Sequence, residues 1–125
     1  MVHQSQIEIS TKSHGDMHDL TDEVSRIVKN SGIRTGMVHV FNIGSTASIG
    51  TIEFEPGLQR DLPELLNKLI PPSREYGHEQ MWHDGNGHSH LQATWQYGSV
   101  KLEGKWIKDV ECNIALAHIH EPKHY

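Results

Sequence analysis

Four of the chain's 11 histidines lie between residues 76 and 91, together with Glu79, Asp84 and Asn86. The segment reads Tyr76-Gly-His-Glu-Gln-Met-Trp-His-Asp-Gly-Asn-Gly-His-Ser-His-Leu91. Imidazole and carboxylate side chains can bind a divalent first-row metal, hold an anion or move protons. A polar loop running into a rigid element can aim several of them at one point. Read as the start of a strand, His88 and His90 share one face, with attachment points about 6.6 Å apart. Two imidazoles at that separation can converge on one ion. A turn through Gly85-Asn86-Gly87 would fold His83 or Asp84 back over them. These residues also occur in ordinary solvated loops, and for any single histidine that is the simpler explanation. His83, His88 and His90 taken together favour a site. Their spacing matches no H-x-x-x-H pattern, so it supports a site more strongly than a metal.

Other candidates are more evenly divided. Glu53 and Glu55 alternate among Ile49, Ile52 and Phe54, and serve equally well as site carboxylates or as solvated acids at a strand end. His118 and His120 repeat the two-residue spacing, but on what reads as an edge strand with its polar face outward. His3, His14, His18 and His124 fall near the termini or in loops and are assigned no role. Cys112 has no base beside it in sequence and reads as an inert buried thiol.

The elements that must position these groups follow from patterning. Gln4 to Ser10 alternates around Ile7 and Ile9, as a strand does. Leu20, Val24, Ile27 and Val28 make a helical stripe, with Asp19 or Thr21 as cap and Gly32 at the stop. Met37–Ile43 and Ala47–Phe54 read as strands, separated by Gly44-Ser45. Pro56-Gly57 reads as a turn into a second helix whose face is Leu58, Leu62, Leu65, Leu66 and Leu69. Pro63 fits best as a first-turn proline, which puts the start near Asp61. After Pro71-Pro72, a polar loop is expected from Ser73 to about Gly87. Strands then follow at His88–Trp95, Ser99–Glu103 and between Lys105 and His120, with Glu103-Gly104-Lys105 as a hairpin turn. Trp95 and the leucine face read as core. Strands and helices without a βαβ rhythm predict an α+β fold. We expect a single domain over residues 1–125, with mostly antiparallel sheets packed as a sandwich or barrel and two main helices.

Composition narrows the function. At 125 residues and 35% hydrophobic content, with mean hydropathy −0.56, the core will be thin. Burial against identical copies would supplement it, so an oligomer is expected. The net charge of −5 and the 11 scattered Lys and Arg residues argue against nucleic acid. Protonating every histidine would carry the charge from −5 to +6, so assembly should respond to mild acid. One cysteine, no basic-then-apolar leader in MVHQSQIEIS and no long apolar run predict a cytoplasmic protein without membrane contact.

The chain resembles the YjbQ-like family, uncharacterised protein family 0047, also labelled secondary thiamine-phosphate synthase. Asp19-Leu20-Thr21-Asp22-Glu23-Val24 is similar to its D-I-T-D-x-V, and Ser45-Thr46-Ala47-Ser48-Ile49 followed by Glu53 to its H-T-T-A-x-I…E. Tyr76-Gly-His followed by Trp82-His-Asp-Gly-Asn-Gly-His-Ser-His-Leu91 is the longest and most specific match, and Pro122-Lys123 falls where the family closes with Pro-Arg. Two departures stand out. Gly44 replaces the histidine of H-T-T, and Asp109-Val110-Glu111-Cys112 stands where G-T-W-Q is expected. The resemblance implies a homotrimer of α+β subunits, with Glu53, Asn86, His88 and His90 as site residues and Thr46 nearby. It implies an activity joining hydroxymethylpyrimidine diphosphate to thiazole phosphate. Two functions are therefore carried forward. In the first, the chain is a thiamine phosphate synthase-like transferase, with Glu53, Asp84 and His90 catalytic. Thr46, Asn86 and Ser89 then contact the phosphorylated substrate, and His83, His88 and His90 hold zinc or magnesium. In the second, it is a non-catalytic trimer that binds a metal or small anion.

Overall fold

The structure, a computed structural model, describes residues 1–96, 99–105 and 113–118. Cys112, His120 and His124, the Asp109–Cys112 departure and Pro122-Lys123 lie outside the described residues.

Helix α1, Thr21–Ser31, forms where its apolar stripe places it. The Asp19 carboxylate accepts from Thr21 N at 3.0 Å and from Thr21 Oγ1 at 2.6 Å, satisfying a first-turn donor. Gly32 ends the helix at φ 73°, a left-handed turn in which glycine meets no Cβ penalty. The stripe buries Leu20 and Val24 against Ile49, with Val28, Val38, Val40 and Ala47 packed around them. Each such buried aliphatic side chain contributes on the order of 1.5–3 kcal/mol.

Strand β1, Met17–Asp19, precedes α1, while β2, Thr35–Phe41, and β3, Ala47–Ile52, follow it. Later in the chain come β4, Ser99–Lys105, and β5, Asn113–His118. Among the described residues these form two antiparallel sheets, β1-β5-β3 and β2-β4. In the first, Met17 pairs with Ala117 and Ala47 with His118. Helices and strands together make the fold α+β.

The structure corrects several expectations. Gln4–Ser10 is not a strand, although Ile7 and Ile9 do pack on the core. Their alternation marked burial, and no backbone pairing came with it. Gly104 lies within β4 opposite Gly36, and Lys105 opposite Thr35. Glu103-Gly104-Lys105 is therefore ladder and not a hairpin turn. Helix α2 spans Pro56–Leu69 and begins one turn or more before Asp61. Glu55 is its cap, with carboxylate oxygens accepting from Gly57 N at 2.7 Å and Leu58 N at 2.5 Å. That resolves Glu55 as a structural acid, with Pro56 as the first-turn proline and Pro63 inside the helix. Of the leucine face, Leu66 is buried at 5% exposure, whereas Leu65 and Leu69 stand 53% and 58% exposed. Trp95, expected in the core, is 69% exposed.

A candidate acid–base site at the α3–α4 junction

The expected loop from Ser73 to Gly87 contains a short helix, α3, Gly77–Trp82, and the expected strand from His88 is helix α4, Gly87–Gln96. Tyr76 precedes α3, and the Glu79 carboxylate three residues later reaches back to accept from Tyr76 N at 2.9 Å. This is half of a capping box, a spacing visible in the sequence. The Tyr76 hydroxyl donates to Pro71 O at 2.8 Å. His83 ends α3 in the left-handed region at φ 56°, and Gly85 follows at φ 72°. These two reversals turn the chain so that α4 starts beside α3. Asn86 O then accepts from Ser89 N and His90 N, and the other Glu79 oxygen accepts from Gly87 N at 2.6 Å.

Because α4 is a helix, His88 and His90 cannot share a face. Residues two apart are rotated by about 200° on a helix. The buried arc of α4 is His88, Ser89, Gln92 and Ala93, with Leu91, Thr94 and Trp95 outward. His88 and His90 lie on opposite flanks of that arc, and each meets a different histidine. His90 lies against His78, ring centroids 4.7 Å apart, and His88 against His14 at 5.2 Å.

The two pairs differ in character. The His14–His88 side is inward. His88 is 5% exposed, Ser89 0% and Gln92 1%, and Ser89 Oγ is hydrogen bonded to His88 Nε2 at 3.2 Å. Gln92 Nε2 donates to Ile70 O at 2.9 Å and to Asn67 Oδ1 at 3.2 Å, and His14 Nε2 meets the same Oδ1 at 2.8 Å. Since Oδ1 can only accept, His14 Nε2 is the donor in this contact. This network ties the residue 14 loop, α2 and α4 together. Ser89, expected to contact substrate, is fully buried within this network.

The His78–His90 side is half open. His78 Nε2 lies 3.2 Å from Asp84 Oδ1. Asn86, 5% exposed, takes the amide orientation that turns its nitrogen to these groups. It donates to Asp84 Oδ1 at 2.8 Å and can donate to His78 Nε2 at 2.8 Å. Nε2 therefore has an acceptor nearby when it carries a proton and a donor when it does not. Asp84, Asn86 and His90 thus come together around His78, which carried no assigned role in the sequence reading. His83 is exposed, as is Glu53 beyond the end of β3, and Thr46 lies half-buried in the turn before β3. Neither Glu53 nor Thr46 belongs to the contacts around His78. Among the described residues, no group of three His, Cys, Asp or Glu side chains could hold a metal ion. The expected set of His83, His88 and His90 for zinc or magnesium is not brought together: His83 ends α3 and is exposed, while His88 and His90 lie on opposite flanks of the buried arc of α4.

The Glu79 carboxyl is shifted down from its ordinary value. Burial pushes its carboxyl up, but hydrogen bonds from the N–H groups of Gly87, Tyr76 and Glu79 itself, with the charge of His78, outweigh that and hold it below the ordinary carboxylate range. The folded-state value lies below the unfolded one. Ionised Glu79 therefore stabilises the fold above the unfolded value of about 4.3, and that contribution is lost as pH falls through the depressed folded value. The melting temperature of wild type is expected to fall more steeply below about pH 4 than that of Glu79→Gln. Parallel curves for the two proteins would contradict this.

Comparison with known proteins agrees with this architecture. Residues 5–105 match the family model described as UPF0047 protein YjbQ-like. A UPF0047 protein of Methanothermobacter thermautotrophicus is 34% identical over 98 residues, covering 78% of this chain and 67% of the relative. One from Archaeoglobus fulgidus is 33% identical over 95 residues, covering 76% and 71%. Among solved structures, a YbjQ-like protein of unknown function from Sulfolobus solfataricus superposes with TM-score 0.78 at 34% identity, covering 86% of this chain and 79% of that one. A family structure from Clostridium acetobutylicum gives TM-score 0.75 at 27% identity, covering 90% and 88%. Among the described residues, no helix is long and apolar enough to cross a membrane.

Proposed function

The chain belongs to the UPF0047, YjbQ-like family, and on that footing we propose that it is a small acid–base enzyme acting on a phosphorylated small molecule. His78 and His90 are its proton-handling groups, with Asp84 and Asn86 holding His78. The observation that carries this reading is the double partnership of His78 Nε2, with Asp84 Oδ1 at 3.2 Å and the Asn86 amide at 2.8 Å. A protonated ring has the Asp84 carboxylate within ion-pair range. A neutral ring accepts from the amide. Neither state leaves Nε2 without a partner, so the ring can gain or lose a proton with little rearrangement, as a general acid–base requires. The proton gained and lost in this cycle is the one on Nε2, and Nδ1 keeps its own.

The specific reaction in this reading is the one the family resemblance implies. The thiazole nitrogen of thiazole phosphate attacks the methylene carbon of hydroxymethylpyrimidine diphosphate. A C–N bond forms, the C–O bond to diphosphate breaks, and diphosphate leaves with the electron pair. An imidazolium at His78 or His90 would offset the charge that develops on it. The test is direct. Purified protein given both substrates, with and without added magnesium, is expected to release thiamine phosphate and diphosphate. Tight metal uptake with no turnover of any phosphate substrate would instead favour the non-catalytic binder.

Assembly as a cytoplasmic homotrimer, with the two sheets closed as a sandwich or barrel, belongs to the same proposal. Apolar surface supports it: Met37, Phe41 and Ile43 are 58%, 64% and 82% exposed. Oligomer interfaces cover such patches. Light scattering at micromolar concentration is expected to give three times the chain mass, and a monomer mass would remove this part of the reading.

A further inference from the structure

The Glu79 carboxylate takes no part in the proton cycle above, yet it touches both ends of the segment that carries the cluster. One oxygen accepts from Tyr76 N at 2.9 Å, at the entry to α3, and the other from Gly87 N at 2.6 Å, at the first residue of α4. His78 sits within the stretch so closed, as do Asp84 and Asn86. The fit is close. A Cβ on Gly87 would stand 2.7 and 2.8 Å from the two carboxylate oxygens and 3.1 Å from His78 Cβ. Glu79 also places a negative charge at the N-terminus of α4, where the helix dipole favours one. Helix α3 spans only Gly77–Trp82 and buries none of its residues. Packing alone therefore does little to hold it against α4.

We infer that Glu79 is a positioning residue for the proposed site: by joining the backbone N–H groups of Tyr76 and Gly87, its carboxylate sets His78 against Asp84 and Asn86. The inference rests on reading that cluster as the working site, but its test does not depend on turnover. A group that supplied stability alone would leave the cluster unchanged in any variant that still folds. Glu79→Gln keeps the length of the side chain but replaces one acceptor oxygen with a donor, so one of the two N–H groups loses its partner. Glu79→Asp keeps the charge but is too short to reach both.

The readout is the ring-nitrogen spectrum of 15N-labelled protein at fixed neutral pH, with the His78 signals assigned by their loss in His78→Gln. In folded Glu79→Gln, the His78 Nε2 signal is expected to move, because its hydrogen-bond partners have moved, while exposed His39 on β2 keeps its position. His78 signals at wild-type positions in folded Glu79→Gln would overturn the inference. If that variant does not fold, Glu79→Asp is read the same way, and an unmoved His78 again overturns it. If neither folds, Glu79 serves folding alone and the inference falls. Failure of the turnover assay with a moved His78 signal would sink the proposed reaction and leave the positioning role standing.

Discussion

Gly87→Ala is expected to lower stability by about 3–5 kcal/mol and to abolish turnover, although it adds a single methyl group. The added Cβ would meet both Glu79 oxygens well inside contact distance. A carboxylate at the end of a flexible side chain can swing aside, so the cost is not mainly steric. Swinging aside breaks two charge-assisted hydrogen bonds and strands the N–H groups of Gly87 and Tyr76. Each bond of that kind contributes about 1.5–3 kcal/mol, and a buried donor left unpaired adds to the loss. The His78 Cβ, 3.1 Å from the new methyl, has no such freedom and must shift with its backbone. Gly77→Ala is the matched control, because a Cβ there has nothing within 4 Å. Urea denaturation of the two variants measures the difference. Equal midpoints would mean that the carboxylate clip contributes nothing.

His78→Gln is expected to lower kcat/KM for the proposed reaction by roughly 10²- to 10⁴-fold, the usual contribution of a positioned acid or base. The same change should cost stability only about 1 kcal/mol, the net contribution of an ordinary hydrogen bond. The reason for the split is chemical. Glutamine is similar in reach and its amide can still donate to Asp84, but it cannot carry a proton near neutral pH. His90→Ala should lose activity in the same direction, since its ring stands 4.7 Å from that of His78. Steady-state rates alongside melting curves separate the two effects. Full turnover in His78→Gln would remove His78 from the mechanism.

The first helix was legible because both its signals agree. Its apolar residues recur with the helical period, and Asp19 and Gly32 mark its ends. Helix α2 was legible as a helix, but its start was not. Pro63 drew the boundary inward, whereas the Glu55 carboxylate, capping the N–H groups of Gly57 and Leu58, sets it at Pro56. A proline inside a helix costs a hydrogen bond, and the cap and the burial of Leu66 outweigh that locally. Helix α4 was misread for a different reason. Its buried face carries His88, Ser89 and Gln92, so no apolar stripe with a helical period exists to be seen. What remains visible is a short polar and apolar alternation, which reads as a strand. Buried polar groups of this kind need partners from elsewhere in the chain, here Ile70 and Asn67, and no local pattern announces them.

The sequence by itself determined the family, the α+β class and the segment in which the candidate site lies. Residue types and short-range spacing carry that information, and they locate Asp84, Asn86 and His90 without any coordinates. Only the tertiary structure decided which of these groups meet. The helical turn of α4 sends His88 inward to His14 and His90 to His78, undoing the same-face pair that an extended chain would make. The left-handed turns at His83 and Gly85 bring Asp84 and Asn86 back onto a histidine that precedes them. Glu79 closes the arrangement through two backbone N–H groups eleven residues apart. Such contacts depend on the direction in which a backbone turns, and residue type constrains that direction only weakly.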